Sequence, residues 1–364
     1  MVCGANGSGK SNLYKTLRLI VAAARGRLVA ELAAEGGLPA ALWAGPRRTS
    51  RAMKHGEQPI QGAAERGPVR LRLGFAGDLL SYALELGYPP EKGSAFHLDP
   101  QIKGEWIWAG GPFHPRSLLV ERGHGAVRGH GGGPARTMAQ DLSPFESLFT
   151  AVSDPSDGPE VFQLRRQILS WRFYDGFRTD AGAPARDSPI ATRCDALAGD
   201  GSDLPAALQT ILEIGDAAGL QDAVADAFPG SRLSVDVSAP RFRVQLQQPG
   251  LLRPLEVGEL SDGTLRYLLL LAALFSPRLP PLLVLNEPEN SLHPDLLPPL
   301  ARLIGRVAAQ TQVWVVAHSP ELIEALATNP DAVIQRLDRE LGATVVPGQG
   351  VLDRAAWRWP SGKA

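Results

Sequence analysis

The sequence predicts an α/β protein with a mainly parallel core sheet flanked by helices, an added antiparallel β layer, a helical insertion and no coiled coil. Three observations carry that expectation. The run Leu282-Leu283-Val284-Leu285 shows no alternation and stops at Asn286-Glu287-Pro288-Glu289. So short an apolar stretch between Pro281 and Pro288 reads as a strand covered on both faces, as in a parallel sheet. A second apolar run, Gln312 to His318, ends on a polar residue in the same way. Near the N-terminus a glycine-rich stretch is followed by Leu13, Leu17, Ile20 and Val21 at helical spacing, a turn feeding an amphipathic helix.

Taken in chain order, the glycine-rich stretch is Gly4-Ala5-Asn6-Gly7-Ser8-Gly9-Lys10-Ser11-Asn12, a full match to G-x-x-x-x-G-K-[ST]. The glycines let successive backbone N–H groups face one hollow, Lys10 can reach β- and γ-phosphates, and the Ser11 hydroxyl can ligate Mg²⁺. The helix that follows turns its positive N-terminal end toward the same anion. Only Met1-Val2-Cys3 precede Gly4, whereas such a loop normally follows a complete central strand. The expectation is a missing upstream strand and a start codon assigned too far downstream.

An Ala/Leu-rich stretch runs to Trp43, and Arg47, Arg48, Arg51 and Lys54 then form a basic cluster. It reads as a solvated loop, with contact to a phosphate backbone as the lesser reading. From Val69 to Phe75 apolar residues alternate with Arg70 and Arg72, the pattern of a half-buried strand. Leu80–Leu86, Gln101–Ala109 and Leu118–Arg122 continue it and make up the expected antiparallel layer. Gly111 to Arg136 holds His114, His124 and His130 among many glycines. Without a paired Cys or carboxylate pattern this reads as a mobile surface loop and not as a zinc site.

Residues 143–175 read as helical and end in the aromatic cluster Trp171, Phe173 and Tyr174; Asp203 to Phe228 reads as helical too. Ser231–Val237 and Arg241–Gln247 form a polar-alternating hairpin. A helix from Thr264 to Phe275 is stopped by Pro277, Pro280 and Pro281. Beyond the acidic strand end, Leu292, Leu296, Leu297, Leu300, Leu303, Ile304 and Val307 keep helical spacing, so a helix covers the sheet. His318 stands at a strand end, and Ser319-Pro320-Glu321 opens the next helix with Ser as N-cap and Pro at its first position. The chain therefore divides into residues 1–66 and 231–364, the two parts of the core, with a β subdomain at 67–135 and a helical insertion at 136–230.

At 364 residues the chain exceeds a comfortable single core. Hydrophobic residues at 44% and charged residues at 21% are those of an ordinary soluble protein, and a net charge of −1 gives no global attraction to nucleic acid or membrane. Cys3 and Cys194 cannot make a disulfide framework. No signal peptide opens the sequence and the longest apolar run, Tyr267 to Phe275, is too short to span a bilayer, so the expected location is the cytoplasm, without membrane insertion.

Between the phosphate loop and the acidic strand stands Leu260-Ser261-Asp262-Gly263. In the order phosphate loop, LSDG, acidic strand end and His318, the set resembles the ABC-type ATPase heads of the RecF and SMC class. More narrowly, it resembles the stand-alone RecF-like AAA family ATPases. The resemblance is strongest over residues 4–20 and 257–327. No a/d heptad is sustained in the 250 residues between Lys10 and Ser261, which excludes the long coiled coil of SMC proteins.

The resemblance implies a P-loop NTPase of ABC-ATPase type that binds ATP and Mg²⁺ and hydrolyses ATP slowly. Lys10 and the loop from Gly4 through Asn6, Gly7, Ser8 and Gly9 to Ser11 and Asn12 would hold the nucleotide. Glu287 would orient the attacking water and His318 would sense the γ-phosphate. Ser261 and Gly263 would touch ATP bound in a partner subunit, which implies an ATP-dependent head-to-tail homodimer linked through Asn290-Ser291-Leu292-His293. Gln140 and Gln163 are both candidates for the glutamine loop of such ATPases. Asn286 departs from the pattern: most relatives place Asp there to hold Mg²⁺-bound water, and the amide keeps one acceptor oxygen but loses the charge. The implied role is DNA repair, or defence against foreign DNA, with DNA and a nuclease encoded nearby as partners. A transporter's nucleotide-binding subunit is the rival, and a weakly active pseudo-ATPase the blander alternative.

Overall fold

The computed structural model describes residues 1–45, 68–90, 93–131, 135–238, 240–350 and 357–360. The basic cluster Arg47, Arg48, Arg51 and Lys54 lies outside them. The described elements begin with β1 (Val2–Gly4), α1 (Lys10–Ala24), α2 (Leu28–Ala34) and α3 (Gly37–Ala41). A run of strands follows: β2 (Arg70–Phe75), β3 (Leu80–Gly87), β4 (Gln101–Ala109), β5 (Leu118–Gly123), β6 (Ala126–Gly129) and β7 (Arg136–Ala139). Next come α4 (Leu148–Ala151), α5 (Pro159–Ser170), β8 (Arg172–Tyr174), α6 (Leu204–Ile214), α7 (Ala217–Ala227), β9 (Arg232–Asp236), β10 (Arg243–Gln247) and β11 (Leu255–Glu256). The last are α8 (Asp262–Leu274), β12 (Leu282–Asn286), α9 (Leu297–Ala308), β13 (Gln312–Val316), α10 (Pro320–Ala327), β14 (Gln335–Glu340) and β15 (Ala343–Val345). Two compact units result, one of Met1–Lys10 with Ser170–Asp338, the other of Ser11–Leu169 with Arg339–Ala364.

In the first unit a parallel sheet runs in the order β14-β1-β13-β12-β8. Val2 pairs with Val316 on one side and Gln335 on the other, so the short strand before the glycine-rich loop is interior to the sheet. Because β1, β12 and β13 point the same way, the residues that follow them gather at one edge, where parallel sheets place ligands. The strands are apolar without alternation because both faces are covered: Leu283, Leu285 and Val315 share one core with Leu265 to Leu274 of α8 and with Leu297, Leu300, Leu303, Ile304 and Val307 of α9. Each such leucine contributes roughly 1.5–3 kcal/mol by leaving water. Helix α8 is buried from Leu265 through Leu274, which explains why its sequence is apolar all round apart from Arg266. The predicted hairpin is present as β9 and β10, and β11 extends it to three antiparallel strands.

The second unit contains an antiparallel meander in which each strand from β2 to β7 pairs with the next. The alternation seen in β2 has a direct cause: Arg70 and Arg72, two residues apart on one face, both bond Glu85 of β3, at 2.8 and 2.9 Å. The aliphatic face packs inward, with Leu73, Leu84 and Ile107 buried.

Two expectations are corrected. Residues 111–136 are not one loop: β6 and the first residue of β7 lie there, and His130 pairs with Glu121 at 3.3 Å. Glycine lowers strand propensity, and only pairing with β5 overrides that local preference. Nor is 143–175 helical to its end. The helix stops at Ser170, and Arg172–Tyr174 becomes a strand paired in parallel with Leu283–Leu285. Three residues carry no readable period, so a partner decides their structure. Among the described residues the longest helix is α1, at 15 residues, and no helix is long and apolar enough to cross a membrane.

Candidate functional site

The loop after β1 closes on itself. Gly4 has φ +146, and a Cβ there would stand 2.1 Å from the Leu337 carbonyl oxygen, so only glycine lets β14 approach so closely. Gly7 and Gly9, at φ 78 and 99, bend the chain until the Ser8 amide bonds the Ala5 carbonyl at 3.2 Å. Lys10 is 3% exposed, and its Nζ donates to the carbonyls of Gly4 at 2.6 Å and Ala5 at 2.9 Å. Burial lowers its pKa, while Glu287, Cys3 and Glu289 act in the opposite sense. The ammonium thus spans the hollow and rests on oxygens that phosphate oxygens could replace. Asn6 is exposed on the loop, and Ser11 and Asn12 open α1 with exposed side chains.

At the end of β12 the main chain turns sharply. Glu287 still donates its N–H to the Val316 carbonyl at 2.8 Å, extending the ladder by one bond, but takes φ 50. Ser291 follows at φ 63. Left-handed backbone at residues other than glycine costs roughly 1–3 kcal/mol and collects at working sites. The turn brings the Glu287 carboxylate to His318, with Oε1 2.8 Å from Nε2, and to Asn290, whose Nδ2 donates to Oε2 at 2.8 Å. These contacts, Asn290 first, hold the Glu287 carboxyl below its ordinary pKa, as does the charge of Lys10. Cys3, Gly4, Ala5 and His318 line a cavity of about 360 Å³ that Glu324, Arg336 and Asp338 close from β14 and α10.

Asn286 ends β12 with its Oδ1 buried and without a hydrogen-bond partner. A buried acceptor left over is the kind of atom that a cation-bound water satisfies. No cluster of three His, Cys, Asp or Glu that could hold a metal exists among the described residues.

Ser261 caps α8: its Oγ accepts from the Thr264 amide at 3.2 Å, and the side chain remains exposed. Arg186 braces the turn before it through the carbonyls of Val257 and Leu260, at 3.1 and 2.9 Å, and pairs with Asp262 at 2.8 Å. Gly263 lies against the loop after Glu287, where an added Cβ would meet the Ser291 carbonyl at 2.8 Å. Lys10, Glu287 and His318 are therefore gathered at one sheet edge. Ser261 and Gly263 belong to the same unit but hydrogen-bond to none of the three.

Two residues here escaped the sequence reading. Arg266, 7% exposed, donates to the Glu287 carbonyl at 3.0 Å and to that of Phe177 at 3.3 Å, tying α8 to the strand end. Glu289 accepts from the main chain of His318 and Ser319. An arginine inside an otherwise apolar helix was a visible signal for the first, since a buried charge requires partners. For Glu289 a second acid beside a proline was a weaker one.

A family model described as "AAA domain, putative AbiEii toxin, Type IV TA system" matches residues 151–324, the stretch holding the Ser261 turn, the β12 end and His318. No curated protein matches the chain. Among solved structures, the chain is similar to an SMC head bound to the C-winged helix domain of ScpA, at 13% identity over 95% of this chain and 88% of that one, with a TM-score of 0.48. It is also similar to the SMC head domain from Thermotoga maritima, at 14% identity, the same coverage and a TM-score of 0.41. The Smc head from Pyrococcus furiosus, bound to the C-terminal domain of ScpA, follows at 13% identity over 95% and 88%, with a TM-score of 0.41. The matched family model and the loop geometry together support a nucleotide-binding, ATPase-like protein.

Proposed function

We propose that this protein is an ATP-binding and ATP-hydrolysing switch of the RecF-like kind, which dimerises head to tail on ATP and serves DNA repair or defence against foreign DNA. The observation that carries the reading is Lys10 in its glycine cradle at the same sheet edge as the Glu287–His318 pair. In phosphoryl transfer to water the protein's task is positioning and charge stabilisation. Lys10 exchanges the Gly4 and Ala5 carbonyls for phosphate oxygens, and the N–H groups of Gly7, Ser8 and Gly9 with the start of α1 complete the cradle. Glu287, a carboxylate at neutral pH, orients the water and takes its proton. His318 holds Glu287 and faces the γ-phosphate. When bound, Mg²⁺ spreads the charge of the β- and γ-phosphates; the Ser11 hydroxyl would ligate it and Asn286 would hold one of its waters. A neutral amide at that position grips the cation less firmly than Asp, which suits slow turnover.

The exposed cap at Ser261, with Gly263 behind it, is free to meet ATP bound in a second copy. DNA and a nuclease partner enter through the resemblance, and the toxin-system wording of the matched family supports the defence arm. The test combines ATP turnover, with and without duplex DNA, and mass by light scattering. Slow Mg²⁺-dependent turnover quickened by DNA is expected, with ATP doubling the mass. Ser261→Arg should abolish the doubling while monomer ATP binding persists. Absence of both binding and turnover would remove the ATPase reading; a Ser261→Arg dimer would remove the shared site; and indifference to DNA would remove the DNA assignment.

A further inference from the structure

The β12 strand end carries a second glutamate for which the proposed chemistry has no use. Glu289 lies just beyond Pro288, after the left-handed turn at Glu287, and its carboxylate meets other partners than that of Glu287. The Glu287 side chain is 32% exposed, whereas Glu289 is 9% exposed. Oε1 of Glu289 accepts from the main-chain N–H of His318 and from that of Ser319, the latter at 3.0 Å. Those donors open the turn between β13 and α10, where Ser319 is the helix N-cap. Main-chain N–H groups at a helix start have no partner of their own, and a carboxylate meets them with charge-assisted bonds. One side chain from the β12 loop thereby clamps the end of the neighbouring strand, just past the last ladder bond from Glu287 to Val316. The His318 ring is then presented to Glu287 Oε1 at 2.8 Å.

Lys10 and Arg266 are both buried, and Glu289 acts on each in the direction that keeps it protonated. Asn286 contributes no charge of its own. The other oxygen of Glu289, Oε2, is buried without a hydrogen-bond partner.

We propose that Glu289 is a positioning residue of this site: it fixes the main chain of His318-Ser319 so that His318 meets Glu287. The kinetic half of this inference rests on the ATPase reading; the clamp itself does not.

The experiment compares Glu289→Gln, Glu289→Ala, His318→Ala and the double variant Glu289→Ala/His318→Ala by two readouts, kcat and KM for Mg-ATP and the His318 ring resonance in the nucleotide-free protein by NMR. Misplacing a catalytic group by about 1 Å costs on the order of 100-fold. Glu289→Ala should therefore lower kcat by about that factor with KM little changed, and shift the ring resonance. Glu289→Gln keeps an acceptor oxygen for both N–H groups and should recover most of the loss. The double variant should be no slower than His318→Ala alone, because one residue acts through the other. Should Glu289→Ala fail to fold, Glu289→Asp, one methylene short of the N–H pair, takes its place with the same expected losses. Wild-type kcat with an unmoved resonance in the Ala or Asp variant overturns the proposal, as does a double variant whose losses multiply. If the wild-type protein hydrolyses no ATP, the functional reading falls and the resonance alone decides. Movement in Ala but not in Gln keeps the clamp, and no movement in either removes it.

Discussion

Glu105 of β4 and Glu287 at the end of β12 are both glutamates ringed by donors, one in each unit, and their surroundings differ in kind. Glu105 is wholly buried, and both its oxygens are used: Oε1 accepts from Tyr82 and Ser147 hydroxyls at 2.6 Å each, and Oε2 from the Leu148 amide at 2.8 Å, with Arg122 3.8 Å away. Burial pushes its carboxyl pKa up in spite of these donors, and it raises that of Tyr82 as well. The cluster fastens the start of α4 to the meander, and no solvent reaches it. Around Glu287 the side chains are a third exposed, Asn286 and Glu289 each retain a buried oxygen with no partner, and the backbone enters the left-handed region twice. A sealed cluster uses its acceptors to hold the chain together. An open one leaves acceptors unpaired and keeps backbone strain.

Three substitutions would break or sharpen that contrast. The largest effect is expected at the sealed cluster. Glu105→Ala leaves Arg122 buried without its counter-charge and three donors without an acceptor, a loss of about 3–5 kcal/mol out of a total commonly near 5–15. Chemical unfolding measures it, and an unchanged midpoint would mean the two clusters are not different in kind. Next, Glu287→Gln should leave the unfolding midpoint nearly unmoved while lowering ATP turnover by about 100- to 1,000-fold, the scale of a lost general base, and trapping the ATP-bound dimer. A variant still turning over at a rate close to wild type would take Glu287 out of the chemistry. The smallest effect is expected for Asn286→Asp, which restores the missing charge. The Mg²⁺ concentration for half-maximal turnover should fall, by about 10-fold on the scale of other outer-shell changes. An unaltered Mg²⁺ dependence would make Asn286 an accepted variant without kinetic meaning.

Much of the site was legible because its causes are local. A glycine that must take positive φ, a lysine at a fixed distance from it, an apolar run with no alternation and a Ser-Pro helix start all act within a few residues. They were accordingly readable at Gly4 to Lys10, Leu282 to Asn286 and Ser319-Pro320. The strands of the meander were readable from β2 to β5 as apolar runs, with alternation clearest in β2, whereas β3 is buried along its whole length. By contrast β6, β7 and β8 are only three or four residues long, and their structure comes from a neighbouring strand. The site residues missed, Arg266 and Glu289, touch main-chain atoms of segments far along the chain, and such contacts leave no period to count.

By itself, then, the amino-acid sequence determined the glycine-rich loop, the parallel apolar strands and the acidic strand end, since each follows from backbone sterics and burial over a handful of residues. Only the tertiary structure decided that Arg172–Tyr174 joins the core sheet, and that His318 meets the carboxylate of Glu287. It alone decided, too, that Glu289 binds the turn after β13. Those outcomes depend on which strand ends lie side by side, and side-by-side placement is a property of the sheet's strand order and not of any stretch of sequence.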